Sequence, residues 1–179
     1  MAQFFYDLAS PDAYLAAERV VDVLGEVPEF VPVLMGGPTG FRCAAEEEIY
    51  RSEIERRAAA YGLLPLVWPP ELDADTRWAM LVATFAKQTG RVVAFSMAAF
   101  RQAFAAGRDL ADRDTVLIAA AAAEMHPTAV IKGADLRGTR ARLEAATTAA
   151  RAAGVRSVPA VVARGRVFEG DLELEAARG

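Results

Sequence analysis

Residues 4–20 read FFYDLASPDAYLAAERV, an apolar segment that changes to a helical pattern at Ser10. Residues 3–8 predict a short strand, followed by a sharp turn at Ala9-Ser10-Pro11. Proline is favoured at the first helical position and Asp12 suits the positive end of a helix, so a helix is predicted over 11–24. A serine before proline is a good helix cap, but the same hydroxyl can also be presented to a ligand. The local pattern leaves both roles open.

The remaining pattern places strands at the two ends of the chain and helices between them. A second strand is predicted over 29–34, where Pro32 indicates an edge position or a bulge. The stretch GVRSVPAVVARGRVFEG (154–170) has the alternating residue pattern of a strand and is rich in valine. It predicts a hairpin with its turn at Arg164-Gly165. A short helix is predicted over 171–178. Helical spacing, repeatedly ended by glycine, predicts helices over 44–61, 76–89, 91–106, 114–125, 127–132 and 136–153.

This order predicts one α/β unit whose sheet is completed by the two chain ends. The β-α-β segment and the β-β-α segment each lack a full sheet, but together they supply four strands with helices on the faces. We therefore predict a sheet domain from residues 1–43 and 154–179, with an all-helical insertion over 44–153.

Composition excludes several classes of function. The net charge is −4, which gives no basic footprint for nucleic acid, and no apolar run is long enough for a membrane span. The first residues lack a signal-peptide pattern, so we expect a cytoplasmic protein without nucleic-acid or membrane partners. The single cysteine, Cys43, and the single histidine, His126, exclude an internal disulfide and an ordinary Cys/His zinc site, and no metal is predicted. Cys43 is expected to begin a helix as a small packed residue, and His126 to lie in a turn or at a helix N-terminus.

A strand leading into a turn at a helix N-terminus, with a later Val-Pro that opens a hairpin, resembles the thioredoxin layout. The helical insertion is similar to that of the DsbA family. Within this family the chain most resembles the 2-hydroxychromene-2-carboxylate isomerases and the kappa-class glutathione transferases. The resemblance implies a thioredoxin-like fold. The residues that carry it are FYDLASPDAYLA (5–16), YGLLPLVWP (61–69), FRQAFAAGRDLAD (100–112) and SVPAVVARGRVFEGDLEL (157–174).

The resemblance also implies an activity. Redox members carry Cys-x-x-Cys at this turn, where the chain has Ser10-Pro11-Asp12-Ala13, so dithiol exchange within the chain is excluded. In the isomerase and kappa-class members, a serine in the first position donates a hydrogen bond to the sulfur of glutathione. A helix N-terminus independently lowers a thiol pKa and favours the thiolate. The chain is thus expected to be a thiol-dependent isomerase or transferase with Ser10 as its catalytic residue. Its substrate would be a small conjugated, aromatic electrophile.

The same resemblance implies a binding site for the thiol. Pro11, Val158 and a cis Pro159 would shape the site for the cysteinyl part, and Gly170 and Asp171 would bind the amino end of the ligand. The cofactor would be glutathione or another low-molecular-weight thiol. Mycothiol is one candidate, because an alanine-rich chain in which arginine far outnumbers lysine is typical of a GC-rich actinobacterial genome. Relatives often form dimers, so a homodimer is compatible with the resemblance.

Three departures from the family pattern keep other interpretations open. Asp12 replaces a usual aromatic residue, Leu172 replaces an arginine that commonly follows the acid, and WPPELDADTRW (68–78) replaces an Asn-Ser stretch. The alternative is a DsbA-family protein without Cys-x-x-Cys that acts as a binding module without turnover. A purely structural protein would have its groove filled by side chains such as Tyr14, Phe41 or Trp68.

Overall fold

The computed structural model describes residues 1–178, so the last position of the predicted 154–179 segment lies outside it. The strands are Gln3–Tyr6 (β1), Glu29–Pro32 (β2), Ala160–Ala163 (β3) and Arg166–Glu169 (β4). The helices are Pro11–Leu24 (α1), Ala44–Ala60 (α2), Arg77–Gln88 (α3), Val92–Phe104 (α4), Arg113–Ala122 (α5), Pro127–Ala134 (α6) and Arg137–Ala152 (α7). A short 3₁₀ helix follows at Leu174–Ala177.

The four strands form one mixed sheet in the order β2-β1-β3-β4, which confirms the predicted joining of the two chain ends. β1 pairs in parallel with β2 and antiparallel with β3, and β3 and β4 form the predicted antiparallel hairpin. Pro32 lies in the edge strand, where a missing N–H costs no ladder hydrogen bond. The hairpin turns at Arg164 and Gly165, which both have positive φ, as a tight two-residue turn requires.

The two faces of the sheet are covered by different helices. Phe4, Tyr6 and Phe30 point to one face and join a large core with α1 and the inserted helices. Phe5 and Val31, which alternate with them, point to the other face and pack with Ala150 of α7 and its neighbours. The end of β1 therefore leads into α1 on the face that the larger of the two cores covers.

Aromatic side chains join the sheet to the insertion. Phe100 and Phe104 of α4 lie at i, i+4 as predicted, and both contact the ring of Tyr14. Tyr6 is fully buried, and its hydroxyl lies 2.5 Å from the Ser96 hydroxyl. Tyr14 is thus a core residue.

Several predicted elements are shorter in the structure, and β2 ends at Pro32 rather than at residue 34. β1 ends at Tyr6 rather than at residue 8, because the Ser10 N–H donates to the Asp7 carbonyl and closes a turn there. The predicted helix over 171–178 is only a four-residue 3₁₀ helix. α1 matches the prediction, and it ends at Gly25, whose φ of 69° is the left-handed conformation that glycine favours. Across residues 1–178, no helix combines the length and apolarity required to cross a membrane.

Candidate functional site

Ser10 is the N-cap of α1. Its backbone is extended, and its Oγ accepts the Ala13 N–H at 3.1 Å, while Pro11 occupies the first helical position. The Ser10 residue is 4% exposed. The capping role that the sequence suggested is therefore present, and the hydroxyl stands at the positive end of the helix.

The start of β3 lies at the same end of the sheet as the Ser10 turn. Phe5 pairs with Ala160 in an antiparallel register, so Pro159, the residue just before β3, faces the end of β1. The Val158-Pro159 peptide bond is cis, as predicted, with Pro159 buried and Val158 partly exposed. The N–H of Gly170 donates to the Pro159 carbonyl at 2.7 Å, which brings the segment after β4 to the same place.

A buried carboxylate fixes the turn that precedes Ser10. Asp7 is 2% exposed, and it accepts the N–H groups of Ala9, Met35 and Gly36 at 3.1, 2.9 and 2.7 Å. Burial raises the pKa of Asp7, although these hydrogen bonds oppose the shift. Gly37 packs so closely that an added Cβ would stand 2.2 Å from the Ala9 carbonyl oxygen. The loop after β2 is therefore attached directly to the Ser10 turn.

A charged network, here called the Arg57 cluster, lies on the other side of the turn and consists of Asp12, Tyr50, Arg57, Tyr61 and Asp171. Arg57 Nη2 donates to Asp12 Oδ1 at 2.8 Å, and Arg57 Nη1 forms a direct ion pair with Asp171 Oδ1. The Tyr50 hydroxyl donates to Asp12 Oδ2 at 2.6 Å, and the Tyr61 hydroxyl donates to Asp171 Oδ2 at 2.9 Å. All four carboxylate oxygens of the cluster thus accept a hydrogen bond.

Arg57 and Asp171 are buried, whereas the other three residues of the Arg57 cluster are partly exposed. Arg57 is 8% and Asp171 1% exposed. Burial raises the pKa of Asp171, while the positive charge of Arg57 and the bond from Tyr61 oppose the shift. Burial and the adjoining Asp12 carboxylate raise the pKa of Tyr50, which keeps its hydroxyl protonated and donating. The cluster therefore holds two carboxylates in fixed, bonded positions beside the N-terminus of α1.

Two adjoining clefts open near the turn. One has a volume of about 380 Å³ and is bordered by Asp7 and Ala9, by the loop after β2 and by residues 72–77, which lead into α3. The second, of about 260 Å³, shares Thr39, Leu72 and Asp73 with the first. Together they have the size of a small-molecule site, with Ala9 bringing the first cleft next to Ser10.

The structure thus brings most of the predicted site residues to one end of the sheet. Ser10 and Pro11 start α1, Pro159 faces the end of β1, and Gly170 bonds to Pro159. Asp171 is also there, but its carboxylate already contacts Arg57 and Tyr61.

Arg57 is the functional candidate that the sequence analysis missed. Ile54, Arg57, Ala58 and Tyr61 follow the i, i+3, i+4, i+7 spacing of one helical face, and Ile54 and Ala58 on that face are buried. An arginine within an apolar stripe indicates a buried anionic partner, because an unpaired charge there would be costly. This signal was available in the sequence.

Cys43 and His126 both begin helices, as expected. Cys43 is the N-cap of α2, but it is exposed rather than packed, because nothing in the loop before it covers the side chain. His126 is the N-cap of α6, where its Nδ1 accepts the Thr128 N–H at 3.3 Å. Within residues 1–178 no group of three or more His, Cys, Asp or Glu side chains is arranged to hold a metal ion.

Comparison with solved structures supports the fold at low sequence identity. The chain is similar to 2-hydroxychromene-2-carboxylate isomerase, with a TM-score of 0.84, 17% identity and coverage of 97% of this chain and 90% of that chain. A probable DsbA oxidoreductase from Streptomyces coelicolor gives a TM-score of 0.75 at 20% identity, covering 98% and 87%. The cytosolic disulfide reductase DsbM from Pseudomonas aeruginosa, solved with GSH, gives 0.64 at 16% identity, covering 98% and 93%.

No curated protein sequence matches the chain. The model of the DSBA-like thioredoxin domain, in contrast, matches residues 2–178, almost the whole chain. That match agrees with the four-stranded mixed sheet, the inserted helices and the turn at the start of α1. The protein therefore belongs to the DSBA-like thioredoxin domain family and has its thioredoxin-like α/β fold.

Proposed function

We propose that the chain is a thiol-dependent isomerase or transferase that acts on a small conjugated electrophile. The observation that carries the proposal is the position of Ser10. Its hydroxyl stands at the N-terminus of α1, at the same end of the sheet as the start of β3, in a chain whose one cysteine excludes internal dithiol exchange. A hydroxyl and a helix N-terminus together favour a bound thiolate.

The chemistry starts with a thiol that loses its proton to solvent when it binds. The thiolate sulfur forms a bond to the electrophilic carbon, and the π electrons of the conjugated bond move to the electron-withdrawing group. For isomerisation, rotation about the resulting single bond is followed by return of the electrons and departure of the thiolate. For transfer, the carbon adjacent to the one that now carries the sulfur takes a proton from water, and the thioether remains. Ser10 would orient the sulfur in both cases.

Binding of the thiol would use the segments that surround Ser10. Val158 and Pro159 would border its cysteinyl part, whose backbone could pair with the start of β3 as an added strand does. Pro11 and Gly170 would complete this border. Asp171 is proposed for the amino end, although Arg57 and Tyr61 already occupy both of its oxygens. A screen should therefore include thiols with and without a free ammonium group.

The electrophile would occupy the cleft of about 380 Å³ beside Ala9. This volume suits a small aromatic molecule, and the cleft borders the residue that precedes Ser10. Leu34, Met35 and Leu72 give it apolar surface, while Asp75 and Arg77 place charges at its rim. A homodimer and a cytoplasmic location remain parts of this proposal.

The second candidate is a thiol- or peptide-binding module without turnover. The capping bond from Ala13 N–H to Ser10 Oγ and the 4% exposure of Ser10 favour it, because they give the hydroxyl a structural role that does not require catalysis. The two candidates share the site and differ in whether a bound thiol reacts. A binding module would bind a thiol without consuming or isomerising an electrophile.

The test is a thermal-shift screen against glutathione, mycothiol and cysteine, followed by titration of the bound thiol at 240 nm. In the wild type we expect a bound thiol with a pKa below its value in water. Ser10→Ala should raise that pKa by about one to two units, the equivalent of one charge-assisted hydrogen bond of roughly 1.5–3 kcal/mol. An unchanged thiol pKa, with only the melting temperature lowered, would assign Ser10 to capping alone. If no thiol binds the wild type, the enzyme proposal is wrong.

A further inference from the structure

Asp12 creates an electrostatic problem for any anion at the Ser10 turn. It follows Ser10 by two residues in the first turn of α1. When no anion is bound at the turn, a carboxylate there stabilises the helix, because it complements the positive helix end. It opposes a thiolate at the same end, because a like charge nearby disfavours ionisation. The turn can hold an anion well only if the charge of Asp12 is compensated.

Arg57 supplies this compensation from another helix. Its Nη2 donates to one oxygen of Asp12 at 2.8 Å, and the Tyr50 hydroxyl donates to the other at 2.6 Å. Both carboxylate oxygens are therefore bonded to groups of α2. The bonds fix the direction of the Asp12 side chain.

The same guanidinium also serves a second carboxylate. Arg57 Nη1 pairs with Asp171, which follows Gly170 and thus lies next to Pro159. Two further charged groups face this pair. Glu53 approaches Arg57 Nε at 3.7 Å from the exposed side of α2, and Arg19 donates to the Asp171 carbonyl at 3.5 Å. Without Arg57, the cation that remains near Asp171 is Arg19, whose guanidinium already pairs with Glu175.

We propose that Arg57 is a positioning residue that neutralises Asp12 and Asp171 and so keeps the N-terminus of α1 able to hold an anionic sulfur. Arg57 acts through these two carboxylates and needs no contact with the thiol. The inference deepens the proposed function, on which it rests for the identity of the anion. The electrostatic effect itself belongs to the turn and can be measured without any ligand.

The experiment places a thiol at the turn by substitution. Ser10→Cys combined with Cys43→Ser leaves one sulfur, at the N-cap of α1, and its ionisation is followed at 240 nm. Arg57→Met added to this background should raise the thiol pKa by about one unit. Adding Asp12→Asn as well should reverse most of that rise, since the carboxylate that opposes the thiolate is then gone. Arg56→Met is the matched control, because Arg56 is exposed and its ion pair is with Glu53.

A second pair of variants covers the case in which Arg57→Met does not fold. Asp12→Asn alone, with Arg57 intact, should lower the thiol pKa in the same background, and Arg57→Lys should leave it within a few tenths of a unit. Circular dichroism checks the fold of each variant. Equal thiol pKa values in the Asp12→Asn variant and its parent would overturn the inference. So would a rise with Arg57→Met that Asp12→Asn fails to reverse.

These results are separable from the proposed function. If the wild type binds no thiol but the Ser10→Cys series shows the expected shifts, the enzyme proposal fails and the role of Arg57 at the turn stands. If the wild type binds a thiol with a lowered pKa and the series shows no shifts, the proposed function stands and Arg57 has no such role.

Discussion

Arg57 and Asp171, 114 residues apart in the sequence, form an ion pair that is almost closed to solvent. Arg57 belongs to α2 in the insertion, and Asp171 follows the last strand of the sheet. The pair therefore attaches the first inserted helix to the C-terminal part of the thioredoxin-like core. It also reaches Asp12 in the first turn of α1.

Breaking this pair should destabilise the protein strongly. Arg57→Met leaves Asp171 as a buried charge with only Tyr61 bonded to its carboxylate, and such losses cost about 3–5 kcal/mol. Arg56→Met, which removes an exposed pair with Glu53, should cost at most about 1 kcal/mol. Urea unfolding followed by circular dichroism measures both. Similar losses for the two variants would contradict a structural role for the buried pair.

Gly37→Ala should destabilise the turn before Ser10. The new Cβ would stand 2.2 Å from the Ala9 carbonyl oxygen, so the loop or the turn must shift, at a cost of about 1–3 kcal/mol. Gly138→Ala in the first turn of α7 is the control. Its Cβ would meet only the end of the Arg142 side chain, at 3.1 Å, and alanine favours a helix by about 0.5–1 kcal/mol. Thermal unfolding measures both variants, and we expect a lowered melting temperature for Gly37→Ala but not for Gly138→Ala.

The four tyrosines should titrate above their ordinary range in the native state. Burial raises the pKa of Tyr6, Tyr14, Tyr50 and Tyr61. In the unfolded chain they ionise near 10, so the native state retains these protons to higher pH. The stability that follows from this difference is fully present below pH 10 and is lost as pH rises through the native pKa values. Absorbance at 295 nm should rise near pH 10 in urea and at higher pH in buffer; coincident curves would show that the hydroxyls are not buried.

Cys43→Ser should leave thiol binding and any turnover unchanged. Cys43 is exposed at the start of α2, and its side chain makes no capping bond, so serine can replace it and improve the cap. The melting temperature should stay the same or rise slightly. The thermal shift given by a bound thiol should equal that of the wild type. A folded variant that has lost all turnover would make Cys43 the nucleophile.

Local signals carried most of the fold prediction. The Ser10-Pro11 start and the Gly25 end of α1 are set by backbone preferences of single residues, and the structure has both. The ends of β1 and of the last helix were less predictable. The end of β1 depends on the turn that the Asp7 carbonyl closes. The extent of the last helix depends on the backbone conformation after Asp171, where only Leu174–Ala177 form a 3₁₀ helix.

The candidate site was only partly visible in the sequence for a related reason. Ser10 precedes a proline at a helix start, and Pro159 follows a valine at the start of a hairpin. These local sequence patterns, together with the family resemblance, identified both residues. The partners of Asp12 and Asp171 come from a helix about 45 and 114 residues away, and local spacing does not reveal such pairs. The unexpected arginine beside Ile54 and Ala58 was the one local sign of this arrangement.

The pairing of β1 with β3 has a consequence for synthesis of the chain. The ribosome makes β1, α1, β2 and all the inserted helices before it makes β3. Until then one edge of the central strand has no neighbour, and Phe5 lacks the Ala160 strand beside it. Closing the sheet requires contact between the two ends of the sequence, which is entropically costly and slow compared with helix formation. A nascent chain halted before β3 would therefore expose an open strand edge to other chains.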